Sequence, residues 1–204
     1  MTDGRARAEA TPGSSALIPH ARGAARYLLT GLGDGGRRWR HTQAVADRAM
    51  EAARILAPPD AERLQAAAWL HDIGYAPALS RYRFHPIDGA HHVQRVLGDP
   101  VVAGLVAHHS GARFVAAACG LAHLMVPFAH RGYWAGPLAD ALTWADQTIG
   151  PDGRPMDVEE RIREALRRHS SDGAAARSQA QRALAVTAAV RATEARLARS
   201  GPAG

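Results

Sequence analysis

Seven of the eleven histidines fall between residues 41 and 109, in a pattern that suits metal ligation. His41 stands alone, His71 is followed directly by Asp72 in "WLHDIGY", and His85 precedes a proline. His108 and His109 are adjacent, and Asp146 lies in "ALTWADQTIGPDGR". Neutral imidazole and carboxylate suit Mn, Fe, Zn, Ni or Co, and the oxygen donors tilt such a site toward Mn or Fe over a structural zinc. The dipeptide His-Asp by itself means little. With 11 histidines and 12 aspartates in 204 residues, chance supplies roughly 0.6 such pairs. The chemistry depends on where the surrounding elements carry these side chains.

His41 opens a helix over 41–57, with Val45, Ala49, Ala52 and Leu56 at steps of three or four and Pro58-Pro59 unable to continue it. Asp60 then reads as the N-cap of a helix that runs to Gly74. Its stripe of Leu64, Ala67, Ala68 and His71 carries the imidazole inward. "FHPIDGAHHVQRVLG" repeats the grammar, with Pro86 in a first turn, His85 pushed toward an extended conformation and Gly98 as the stop. "DPVVAGLVAHHSG" is a shorter apolar helix that ends in the histidine pair. "PLADALTWADQTIG" places Leu138, Leu142, Ala145 and Ile149 on one side, and "MDVEERIREALRRH" has Asp157 as N-cap with Glu160 at the capping-box position. Only "RYRFH" reads as an extended piece, so the fold class expected is all-α.

The candidate ligands therefore gather at helix ends, where a helical bundle converges side chains on a shared interior cavity. Adjacent residues on a helix diverge by about 100°, so His71 and Asp72 can flank one ion only where the helix frays. His91 and His92 cannot face the same way. His20, His123, His130 and His169 read as ordinary, Trp69, Trp134 and Trp144 as core, and Asp140 and Asp157 as solvent-facing or capping groups.

Composition bounds the rest. A length of 204 residues with 47% hydrophobic content suits one domain with a real core. Three parts are expected: a disordered tail at 1–15, the domain at 16–172, and an Ala/Arg-rich helix and tail at 173–204, the helix about 26 residues long. That helix is a candidate homodimer element. No apolar stretch is expected to approach 18 residues and the N-terminus has no apolar region behind its charges, so a soluble cytoplasmic protein without a membrane partner is expected. Cys119 is the single cysteine, which excludes an internal disulfide framework and a cysteine-based zinc cluster. All 25 basic residues behind the net charge of +6 are arginines spread along the chain. Only "GRRWRH" approaches a basic patch, so nucleic acid is not the partner expected.

Taken in order, His41, His71-Asp72 in "AAAWLHDIGY", "HPIDGA", "HHS" and Asp146 in "ALTWADQTIGPDGR" resemble the HD-domain superfamily of metal-dependent phosphohydrolases. The likeness spans about 41 to 154 and is greatest to small bacterial members such as the symmetrically cleaving diadenosine tetraphosphate hydrolases. It implies an HD-domain helical bundle in which His41, His71, Asp72 and Asp146 hold a first divalent ion (Mn, Fe, Co or Ni). His85 and either His108 or His109 would hold a second, with Asp72 bridging.

Asp72 and Asp146 are then the catalytic carboxylates. The bound cations would lower the pKa of a water and neutralise charge building on phosphoryl oxygens of a small nucleotide-like substrate. Arg83 and Arg154 are the expected phosphate contacts, since guanidinium grips phosphate in a bidentate fork. Several HD groups place Lys or Glu just after the His-Asp segment, where this chain has Tyr75 and Ala76. The alternatives are a ligand-sensing or scaffold protein that keeps the fold without turnover, and an iron oxygenase on a related helical fold.

Overall fold

Proline and glycine punctuation sets most helix starts in the structure, a computed structural model that describes residues 16–168 and 173–201. The tail expected at 1–15 and the ordinary reading of His169 lie outside the described residues. Nine α-helices run in order among those described: α1 Leu17–Leu29, α2 Arg37–Ala53, α3 Pro58–Leu70, α4 His85–Leu97, α5 Pro100–His108, α6 Ala112–Ala118, α7 Pro137–Gln147, α8 Val158–Arg168 and α9 Gly173–Arg199. Helices α1 and α6 were not foreseen from the pattern. No strand occurs among the described residues, only an isolated bridge between Ile149 and Pro155. The fold is all-α, as expected.

Several caps differ by a residue or two from the sequence reading. Helix α3 starts at Pro58, because proline fits a first turn, and Asp60 sits in that turn instead of capping it. Phe84, not His85, takes the extended N-cap conformation before α4, and Gly98 ends α4 in the left-handed region at φ 64°. Asp157 caps α8 through the Glu159 amide at 2.8 Å. The 19-residue run Pro100–Ala118 is long and apolar enough by composition to cross a membrane, contrary to the expectation. In the fold it is two helices broken at Ser110, and 61% of the apolar window is buried inside the protein.

Helix α3 is the axis of the bundle. Leu64, Ala66, Ala67, Ala68 and Leu70 are all buried, because the C-terminal half of the helix is apolar on nearly every face. It packs against α1, α2, α5 and α7, and its alanines let those neighbours come close. His71, at its C-terminal end, is thereby carried to the centre of the molecule. Helix α9 lies across α6 and α7 and buries Val186, Val190 and Thr193. Leu184, expected in its apolar stripe, is 75% exposed. Arg196 on α9 pairs with Asp140 of α7 at 2.8 Å.

A buried carboxylate shapes the loop before α4. Asp88 accepts backbone N–H bonds from Arg81, Tyr82 and Phe84 at 3.1, 2.9 and 3.2 Å. This holds Arg83, between them, at φ 57°, a conformation non-glycine residues seldom adopt. The piece expected to be extended is thus a carboxylate-pinned turn. Replacing Asp88 by alanine leaves three amides without their acceptor and should destabilise the chain by about 2 kcal/mol. Urea unfolding checks this; a loss below about 0.5 kcal/mol would mean that water replaces the carboxylate freely.

Candidate metal centre

Three histidines reach the centre in the same way. His41 donates its Nδ1–H to the Gly150 carbonyl at 2.9 Å, His71 to Ala68 at 2.8 Å and His109 to Val106 at 2.6 Å. A carbonyl only accepts, so each Nδ1 carries the proton and each Nε2 is left to face inward. Fixing the ring through its outer nitrogen is how proteins orient metal-ligating imidazoles. Helices α2, α3 and α5 each supply one of these rings, which explains why the ligands are scattered in sequence.

The carboxylates meet those nitrogens. His41 Nε2 lies 3.0 Å from Asp146 Oδ1 and 3.8 Å from Asp72 Oδ2, and His71 Nε2 lies 3.3 Å from Asp72 Oδ2. On the other side His85 and His109 present Nε2 at 3.5 and 3.9 Å from Asp72 Oδ1, and 3.3 Å from each other. Two sets of three, His41/His71/Asp72 and Asp72/His85/His109, each keep their ligand atoms within 4.8 Å of one another. Asp72 offers one oxygen to each set. It can do so beside His71 because Asp72 has already left helical geometry, at φ −105° and ψ 2°.

The donor set fits a divalent ion. His71 Nε2 is buried with no hydrogen-bond partner, an orphan that a fully apolar or fully paired core would not retain. His41 and His71 both turn Nε2 toward carboxylate oxygens that only accept, so a cation, proton or metal, belongs between them. Burial alone would lower His71, but Asp72 and Asp146 raise it from 6.5 to about 9. Burial would raise both aspartates. His71 and Arg38 hold Asp72 well below the usual carboxylate range, and His41 and His71 do the same for Asp146. Burial pushes His85 down to about 3 and lowers His109, leaving their lone pairs available.

Proton and metal therefore compete for His71. Its pKa is raised, so in the metal-free chain the pairing contributes stability fully below pH 6.5, and that contribution is lost as pH rises through about 9. Metal binding at pH 7 should release about one proton per chain, with affinity rising toward pH 9. Calorimetry in buffers of different ionisation enthalpy reads that proton. A buffer-independent heat would show that His71 is not the site of exchange.

The structure brings six sequence candidates together and leaves the others apart. Of the histidine pair only His109 joins Asp72. His108 donates from Nε2 to the Phe128 carbonyl at 2.8 Å and lines a separate, smaller cavity. Arg83 is exposed at the rim of the main cavity. Arg154 has an 87% exposed side chain beside Asp152 and does not line that cavity. Of the residues read as ordinary, His20 and His130 are exposed.

Four contributors were not foreseen. Arg38 sets Nη1 2.6 Å from Asp72 Oδ2 and stacks 3.9 Å over the Tyr75 ring, which stacks on His85 at 3.9 Å. It precedes His41 by three residues, so one helical turn puts both on the same face, and that spacing could have found it. Ser110, directly after the pair, takes φ 52° and donates its hydroxyl to Asp146 Oδ2. Gln147 follows Asp146 and donates to the same oxygen at 2.8 Å. Arg182 of α9 carried no signal at all. Ser110 and Arg83 are the two non-glycine residues at positive φ among those described, and both border the cavity.

That cavity has a volume of about 650 Å³. It is lined by the His/Asp cluster other than His71, by Arg37, Arg38, Arg161 and Arg182, and by apolar residues that include Phe84, Val115 and Ala118. Such a site can hold two divalent cations beside an anionic group, with room for a planar apolar moiety. A scan of protein families matches residues 38–166 to the HD domain. Neither the curated proteins nor the solved structures return a match to this chain.

Proposed function

Because the chain belongs to the HD domain family, we propose that it is a metal-dependent phosphohydrolase cleaving a phosphate monoester or anhydride of a nucleotide-like substrate. The observation that carries this reading is the convergence of four Nε2 atoms and two carboxylates in one cluster, of which all members but His71 line an arginine-rich cavity. His41, His71, Asp72 and Asp146 would hold one divalent ion, and Asp72, His85 and His109 a second. Mn, Fe, Co and Ni suit this oxygen and nitrogen set. When bound, such ions lower the pKa of water toward neutrality and offset charge on phosphoryl oxygens.

The protein's own groups do the rest. Arg38 lies against Asp72 and is placed to turn its fork onto a phosphoryl oxygen that approaches the cluster, and Arg83 at the rim can steer the anion inward. Tyr75 keeps both Arg38 and His85 in place by stacking on each. Phe84, Val115 and Ala118 give the cavity apolar lining that suits a base or another planar group. Asp146, bonded to Ser110 and Gln147, is kept from rotating away from His41.

The test is a screen of the purified chain over nucleotides and dinucleoside polyphosphates with Mn, Co, Ni and Fe, read both as released phosphate and as nucleotide products separated by chromatography, because cleavage inside a dinucleoside polyphosphate yields two nucleotides and no free phosphate. Product formation that depends on the metal and disappears with chelator is the expected result. A chain that binds metal and cleaves none of them would favour the sensing or scaffold role.

A further inference from the structure

Asp146 is the ligand with the most elaborate support. Its Oδ1 faces His41, while Oδ2 accepts from the Ser110 hydroxyl and from Gln147 Nε2 at 2.8 Å. Gln147 Nε2 also reaches Ser110 Oγ at 3.0 Å. Behind both stands α9. Arg182 donates Nε–H to the Ser110 carbonyl at 2.8 Å and Nη2–H to Gln147 Oε1 at 3.3 Å. One guanidinium thus braces both groups that hold Asp146.

Resting on the metal-centre reading above, we propose that Arg182 is a positioning residue for the metal ligand Asp146, so that α9, beyond the 38–166 span of the family match, completes the metal centre. Two chemical arguments carry it. An amide side chain has one accepting and one donating end. By engaging Oε1, Arg182 leaves Gln147 only its NH2 to turn toward the carboxylate; the reversed amide would set oxygen against oxygen. Ser110, in turn, must stay at φ 52° for its hydroxyl to reach Asp146. A non-glycine residue remains in that region only where its surroundings over-determine it, and the bond from Arg182 to its carbonyl is such a constraint. The planar fork matters, since a lysine ammonium on a flexible stem does not span two acceptors in fixed directions.

The experiment is titration of Mn2+, and in parallel Co2+, into the full chain by calorimetry, with a melting curve for each variant. Arg182→Ala should bind the ions 10- to 100-fold more weakly, and Arg182→Lys should recover only part of that loss. Should the alanine variant fail to fold, the lysine variant carries the test. Arg196→Ala removes the ion pair that docks α9 on α7 and touches none of the Asp146 network, so it should lower the melting temperature and leave affinity within twofold. Gln147→Ala combined with Arg182→Ala should cost no more than the worse single change, because both act on one carboxylate.

Affinity within twofold of wild type in Arg182→Ala overturns the positioning role. Equal weakening by Arg196→Ala overturns it too, in favour of helix docking alone. Wild-type protein that binds neither ion brings down the metal-centre reading itself, and this inference with it.

Discussion

Asp72→Asn is expected to empty both halves of the metal centre at once. Asp72 gives Oδ2 to the His41/His71 side and Oδ1 to the His85/His109 side, and it is the one residue common to both candidate ligand sets. Asparagine keeps the shape but loses the charge, and its NH2 end cannot ligate. On the function proposed above, metal content should fall to background and phosphohydrolase turnover should drop by a factor on the order of 10³ or more, the rate equivalent of several kcal/mol of transition-state stabilisation.

Elemental analysis beside Asp60→Ala, which removes a half-buried carboxylate paired with Arg63 away from the cluster, separates this from a general loss of acidic groups. Asparagine is chosen over alanine because it keeps the side-chain volume and an accepting oxygen for Arg38, so no cavity opens in the buried cluster. A variant that retains one ion with near-normal affinity would show that Asp146 and the imidazoles suffice, and would end the bridging role of Asp72.

Gly74→Ala should be the most damaging change that adds only a methyl group. An added Cβ would stand 2.0 Å from the His85 carbonyl oxygen and 2.7 Å from the Gly89 nitrogen. These are backbone atoms of α4, so no side chain can swing aside. Either the Ile73–Tyr75 turn or the start of α4 must move, at a cost of about 3 kcal/mol, or roughly 6–12 °C in melting temperature for a chain of this size. His85 rides on the displaced segment, so metal content should also drop toward one ion per chain. A melting temperature within about 2 °C of wild type would show that the two segments have room to separate. The glycine after His71-Asp72 is therefore a packing requirement of the site, and the stop of α3 comes earlier, where Asp72 leaves helical geometry.

Local signals carried much of the architecture. Helical periodicity, prolines in first turns, Gly98 as a left-handed stop and Asp157 as a cap are effects of a few neighbouring residues, and the chain displays them openly. That is why the helices α2 to α5 and α7 to α9 were legible to within a few residues. Helix α6 was not, because its seven residues are too few to show a period; α1 carries an amphipathic stripe as marked as that of α4 and could have been read from it. The ordered His and Asp motifs pointed to HD-domain membership, which the family match bears out over 38–166.

The sequence by itself determined the all-α class, the family and the residue types of the His/Asp cluster, since periodicity, caps and motif order are properties of neighbours along the chain. Only the tertiary structure decided which of His108 and His109 faces Asp72, because that depends on how the chain turns through His109 and Ser110 after α5. Direction and distance likewise placed Arg154 outside the cavity and Arg38 against Asp72. Nothing in the local sequence ties Arg182 to Asp146, 36 positions away. The two come together because α9 folds back across α6 and α7, and a long-range packing event of that kind leaves no periodic trace in the residues it joins.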